Sequence, residues 1–282
     1  MELPLPCSLT PTKVSAFKDC AYAFRLSVID KVPQPLSIWT VKGVLTHRAL
    51  ERFYFDVPAE ARTPARARSI VHDEFVRNIQ SGYAATFLAE LPESALARLG
   101  QEVEQLVLNV FALEDPTRTT VLGAELMLEA PIGDVLGRGV IDRLDRDENG
   151  DLVVVDYKTG RPPNHTHEQD KLAGVLFYAL LVERVLGVRP KRVKLMYLRD
   201  RMVIESDATP HRLHAVEGKT TAIWSAVRMA CETGNFRPRP SRLCNFCAYQ
   251  CQCPCFLNTA NEADGAKGAN FRPSPHERTL RD

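Results

Sequence analysis

The sequence lacks any long apolar run. Its first thirty residues are broken up by Pro4, Pro6, Pro11, Lys13, Lys18 and Asp19, which excludes a leader-type apolar segment there, and no later stretch reaches the length of a membrane span. It also lacks an excess of charge of either sign: 36 lysines and arginines stand against 35 aspartates and glutamates, a net charge of +1. A polyanion could therefore be gripped only through a local basic patch, not by a global field. Internal repeats, a helicase motif and a collagen-like or coiled-coil composition are absent too. These absences predict a soluble, cytoplasmic protein, and 282 residues that are 45% hydrophobic suffice for one sizeable core. Cysteine is plentiful. In a reducing compartment, eight cysteines are expected to be metal ligands or buried thiols rather than disulfides.

Along the chain, helical patterns come first. Leu9-Thr10-Pro11-Thr12 reads as a helix start, because a threonine can cap free amides and a proline fits a first turn; the helix is expected to run through Phe17 towards Phe24 and to carry Cys20. Val44, Leu45, Ala49, Leu50 and Phe53 recur with a helical period in a segment that carries His47, and helices follow at about 62–80 and 93–113. Strands are expected over 119–130, 136–146 and 151–158, a helix over 168–186, strands over 193–198 and 202–205, and a helix over 211–233. This order predicts an α/β or α+β domain with helices packed on a central sheet. Residues 1–258 should form that single domain, and the polar stretch 259–282, without apolar period, a disordered tail.

The most informative segment joins Gly139-Val140-Ile141-Asp142-Arg143-Leu144-Asp145 to Val155-Asp156-Tyr157-Lys158-Thr159-Gly160. Its chemistry depends on register. A two-residue turn at Asn149-Gly150 would set Asp142 against Tyr157 and point it away from Asp156. A three-residue loop, Glu148-Asn149-Gly150 with Gly150 left-handed, would pair Asp147 with Asp151 and bring Asp142 opposite Asp156, with Lys158 on the same face. We favour the second. Two carboxylates side by side repel and need a cation, and oxygen ligands with room for water suit Mg²⁺ or Mn²⁺. Such an ion makes phosphodiester hydrolysis feasible, with Lys158 orienting water or stabilising the transition state. Charged hairpins are also common on solvated strands, so His47 matters: with the small Gly43 beside it, its helix could lie close to the sheet and offer an imidazole to the same ion.

Cys244, Cys247 and Cys253 follow the spacing C-x2-C-x5-C, with Cys20 far upstream as a fourth candidate. Four thiolates suit either zinc or an iron-sulfur cluster, and Cys251 and Cys255 could instead close a local zinc site without Cys20. Either metal would tie the two ends of the chain across a very long loop.

Taken together, these elements resemble the RecB-like branch of the PD-(D/E)XK nucleases, and most closely its iron-sulfur members, such as the AddB nuclease domain and the CRISPR-associated spacer-processing nucleases. The resemblance covers residues 9–256 and rests on Phe17-Lys18-Asp19-Cys20, Gly43 to His47, Gly139 to Asp142, Asp156 to Gly160 and the terminal cysteines. It implies a restriction-endonuclease-like α/β fold, a central mixed sheet flanked by helices, with the N- and C-terminal segments joined by a cysteine-ligated cluster. It further implies that His47, Asp142, Asp156 and the Tyr157 carbonyl bind the catalytic ion, that Lys158 is the catalytic lysine, and that Cys20, Cys244, Cys247 and Cys253 hold a 4Fe-4S cluster. The implied activity is a DNA exonuclease acting on single strands or ends in repair or recombination; the alternative is a DNA-binding or assembly subunit with a vestigial nuclease site. A third reading is a zinc-stabilised interaction protein. Family members carry a glutamine four residues before the helix tyrosine; here Tyr178 is present but that position is Gly174, which puts the DNA-positioning role of this helix in doubt, with Lys171 and Gln169 near enough to contribute.

Overall fold

The computed structural model describes residues 3–163 and 165–257, the side chains of 165–167 excepted; the expected tail, 259–282, lies outside the described residues. In chain order the elements are α1 (Pro11–Asp19), α2 (Ala21–Phe24), α3 (Ile38–Phe55), α4 (Pro64–Ser81), α5 (Ala85–Ala89), α6 (Glu93–Leu108), β1 (Thr120–Ile132), β2 (Val135–Arg146), β3 (Leu152–Lys158), α7 (His165–Leu186), β4 (Arg192–Tyr197), β5 (Met202–Asp207) and α8 (Pro210–Thr233). Two compact units result, one formed by residues 8–11 and 36–221, the other by the N-terminal segment to residue 35, without 8–11, and the chain from 222. Among the described residues no helix is long and apolar enough to cross a membrane.

The larger unit is built on a five-stranded sheet in the order β1-β2-β3-β4-β5, antiparallel throughout except for the parallel pair β3–β4. A parallel neighbour requires a crossover, and α7 supplies it. This is an α/β fold with a mixed sheet flanked by helices, consistent with the restriction-endonuclease-like architecture. β3 reads Leu-Val-Val-Val because both its faces are covered: Val153, Val155 and Tyr157 join a core with α3, α4 and α6, while Leu152 and Val154 join a second core with α7. Helix α3 begins at Ser37, whose hydroxyl accepts from the Thr40 N–H, and buries Val41, Leu45, Ala49 and Phe53, four positions spaced one helical turn apart.

Three details differ from the sequence expectation. The first helix does not continue through Cys20, which is extended (φ −162°, ψ 109°) and stands between α1 and α2. The stretch expected as one helix over 93–113 ends its α-helical part at Leu108 and finishes as a 3-10 turn, Asn109–Ala112. Strand alternation also fails in β2: Ile141 and Leu144, an odd and an even position, enter the same core. The break falls at Asp142-Arg143, beside Glu125 on β1, whose φ is +48°.

The smaller unit is assembled from both ends of the chain. Its buried residues include Phe24, Leu26, Val227, Cys231, Phe236 and Tyr249, and Phe17 meets Phe24 and Phe236 edge-on at 5.2 and 6.4 Å.

Candidate active site

The β2–β3 hairpin closes through Glu148-Asn149-Gly150. Gly150 has φ +86°, and the Asp147 N–H donates to the Asp151 carbonyl at 2.9 Å. Arg143 then pairs with Val155 and Leu144 with Val154, a register that carries Asp142 opposite Asp156. On the other side Ala124 pairs with Arg143 and Leu126 with Ile141, so Glu125 falls opposite Asp142. Glu125, Asp142 and Asp156 form a row across three adjacent strands, and α3 brings His47 to it.

The contacts within this group are close. His47 Nδ1 lies 3.2 Å from Asp142 Oδ1, and Asp142 Oδ2 accepts from the Tyr157 N–H at 2.6 Å. His47, Glu125 and Asp142 offer ligand atoms that all lie within 4.8 Å of one another. Asp156, 5% exposed, is ion-paired with Lys158, although its Oδ2 makes no well-directed hydrogen bond. Burial and the charge of Asp142 raise the Asp156 carboxyl to about 6, against the pull of Lys158, and the same two causes raise Glu125 to about 7. Burial lowers His47, but its bond to Asp142 and the surrounding carboxylates outweigh that and leave it raised. Lys158 likewise is raised, since Asp156 more than offsets the cost of burying its ammonium. One imidazole and two carboxylates within reach of one another, His47, Glu125 and Asp142, with Asp156 beside them and both Glu125 and Asp156 pushed towards neutrality by burial and then by the charge of Asp142, are a donor set that fits a divalent cation.

The surroundings explain how the row is held. Tyr157 sends its ring to the other face, where its hydroxyl accepts from Arg143 at 2.7 Å; Arg143, 1% exposed, also pairs with Glu114 at 2.7 Å and Asp145 at 2.8 Å. Tyr178 on α7 lies against Gly139, where an added Cβ would sit 2.5 Å from Cε1 of the ring. Burial, and then Asp156, Asp142 and Glu125, raise the Tyr178 hydroxyl, so the ring belongs to the surroundings of the carboxylates. Gln169 and Lys171 are exposed on α7. A Cβ at Gly174 would meet Pro11 at an ordinary 3.9 Å, so that neighbour does not demand glycine; likewise a Cβ at Gly43 would stand 3.7 Å from Thr159 Oγ1.

Sequence reading missed Glu125. A signal existed: Gly133-Asp134 forms a two-residue turn with Gly133 at φ +59°, and counting back from the pair Ile132–Val135 puts Glu125 opposite Asp142.

In the smaller unit, Cys20, Cys244, Cys247, Cys253 and Cys255 line one cavity of about 240 Å³, while Cys251 is exposed and does not line it. Backbone N–H groups point at two of these sulfurs, from Arg239 to Cys20 Sγ at 3.4 Å and from Ser241 to Cys244 Sγ at 3.3 Å. Burial pushes the Cys247 thiol up, and the neighbouring sulfurs of Cys244, Cys20 and Cys253 add to it. Sulfurs gathered closely enough to add to the rise of the Cys247 thiol, with amides directed at two of them, are a donor set that fits a thiolate-bound metal.

The fold and the carboxylate row together define a sheet-borne acidic site. The chain belongs to the PD-(D/E)XK nuclease superfamily, whose family model matches residues 8–254. No curated protein matches it in sequence. Among solved structures it is similar to a candidate exonuclease from Eubacterium rectale, with TM-score 0.52 and 9% identity over 98% of this chain and 94% of that one, a likeness of fold alone. The protein SSO0001 aligns over 77% of this chain and 97% of its own at 16% identity, with a TM-score of 0.36 that is too low to bear on the fold.

Proposed function

We propose that the chain is a divalent-metal-dependent deoxyribonuclease, an exonuclease acting on single strands or DNA ends in repair or recombination. The observation that carries this reading is the row Glu125, Asp142 and Asp156 with His47 against Asp142 and Lys158 paired to Asp156. In it His47, Asp142, Asp156 and the Tyr157 carbonyl, with Glu125 added, hold Mn²⁺ or Mg²⁺. A bound ion of this kind lowers the pKa of its water and offsets charge on the phosphate. Lys158, kept protonated by Asp156, orients the nucleophile or stabilises charge that develops on the phosphoryl oxygens. Tyr178, Lys171 and Gln169 are the α7 residues proposed to meet DNA.

The same reading places the chain in the iron-sulfur, AddB-like branch, with Cys20, Cys244, Cys247 and Cys253 holding a 4Fe-4S cluster. Their shared cavity supports a thiolate-bound metal, and its identity is tested by colour: a brown protein with broad visible absorption carries iron and sulfide, a colourless one with stoichiometric zinc does not.

For the activity, Asp156→Ala should abolish Mn²⁺-dependent degradation of end-labelled DNA, a loss of at least about a thousandfold if the carboxylate organises the ion. Undiminished cleavage by this variant refutes the assignment. Wild-type protein that binds single strands but cuts none, with any divalent metal, is instead the assembly subunit.

A further inference from the structure

A groove of about 410 Å³ lies at the end of β3, lined by Trp39, Lys42, Gln105, Thr159, Gly160 and Arg199 among others. It is continuous with the site in sequence on two sides. Thr159 and Gly160 directly follow Lys158, and Trp39 and Lys42 precede His47 on α3, with Trp39 about 12 Å along the helix axis from it at the usual rise per residue. Trp39 is 67% exposed, a large apolar ring that the unit's core does not use. It is nevertheless held: Lys42 Nζ sits 4.2 Å from the ring centroid, and Glu102 fixes that ammonium at 2.8 Å. With Lys42 balanced by Glu102, the exposed Arg199 is left as the groove's positive charge. A flat, pinned, solvent-facing aromatic beside a cation, next to a site for phosphodiesters, matches the chemistry of an unpaired nucleotide: a base to stack and a phosphate to neutralise.

We infer that Trp39 is the stacking platform for a base near the cleaved phosphate on the same strand, with Arg199 meeting the backbone, so that the groove selects unpaired over duplex DNA. This rests on the nuclease reading above. A stack needs the base's face free, and a paired base within a duplex has both faces occupied by its neighbours.

Intrinsic fluorescence reads the contact directly, because the other tryptophan, Trp224, is only 8% exposed and serves as an internal reference. In Ca²⁺, to allow binding while suppressing cleavage, an oligothymidylate should quench the wild-type emission, and Trp39→Phe should remove the quenching. In Mn²⁺, Trp39→Ala should raise KM on single-stranded DNA roughly tenfold, within what one base stack contributes, and leave kcat within about threefold. An abasic residue at one position near the cut should weaken wild-type cleavage by a similar factor and add nothing in Trp39→Ala; Trp39→Phe should recover most of the loss. Cleavage of single strands with neither quenching nor abasic sensitivity tied to Trp39 overturns the platform while leaving the nuclease intact. Absence of both binding and cleavage by the wild type overturns the nuclease reading and this one with it.

Discussion

In the metal-free protein the site's acids are held out of balance with the unfolded chain. Asp156 is raised from 3.8 to about 6 and Glu125 from 4.5 to about 7, and His47 is raised as well. The folded state therefore retains protons that the unfolded chain has already released, so the two carboxyls lose stabilising effect as pH rises from about 4 to about 7, and His47 does so as pH rises beyond its ordinary 6.5. Glu125→Gln removes one crowded charge: without metal, its melting temperature should gain on the wild type between about pH 5 and about pH 8, and Mn²⁺ should raise the wild-type value more at the upper end than at the lower. A metal-induced shift independent of pH, or a variant that gains nothing, contradicts the crowding. The aspartates and Lys158 were legible as a pattern in the sequence because strand geometry has period two; Glu125 was legible only through a count along a second hairpin from Gly133-Asp134, and its own positive φ is signalled by no residue type at that position.

At the scale of elements, packing at one glycine ties the crossover helix to the site. The Tyr178 ring lies where a Cβ of residue 139 would stand, so Gly139→Ala must displace it, at a cost of about 1–3 kcal/mol for overpacking. Thermal melts should show that loss, and adding Tyr178→Ala should recover part of it; a fully additive pair would mean the two residues do not compete for space. Helix positions, the hairpin loop and the central run of β3 followed from periodicity and turn chemistry. The break at Cys20 and the flipped alternation at Asp142 did not, because each needs the chain to depart from the regular geometry on which periodicity depends.

At the scale of the molecule, the smaller unit gathers segments from both ends of the sequence around the cysteine cavity. The cavity is lined entirely by residues of this unit, so loss of a metal held there should tell locally. If the cavity holds the proposed metal, Cys247→Ser should lower its content and expose residues 236–257 to proteolysis, while the segment 36–221 stays protected; a variant as resistant as the wild type would show that no metal holds this unit together.

The order of residues by itself determined that this chain packs helices on a central sheet and carries two separated sets of side chains of metal-ligand type, since amphipathic period, turn residues and ligand types are local properties. Only the tertiary structure decided that Glu125 completes the carboxylate row, that Gly139 seats Tyr178, and which five of the eight cysteines share a cavity. Those facts depend on which strands pair and on how closely backbones approach, and such distances are fixed by packing between residues far apart in sequence.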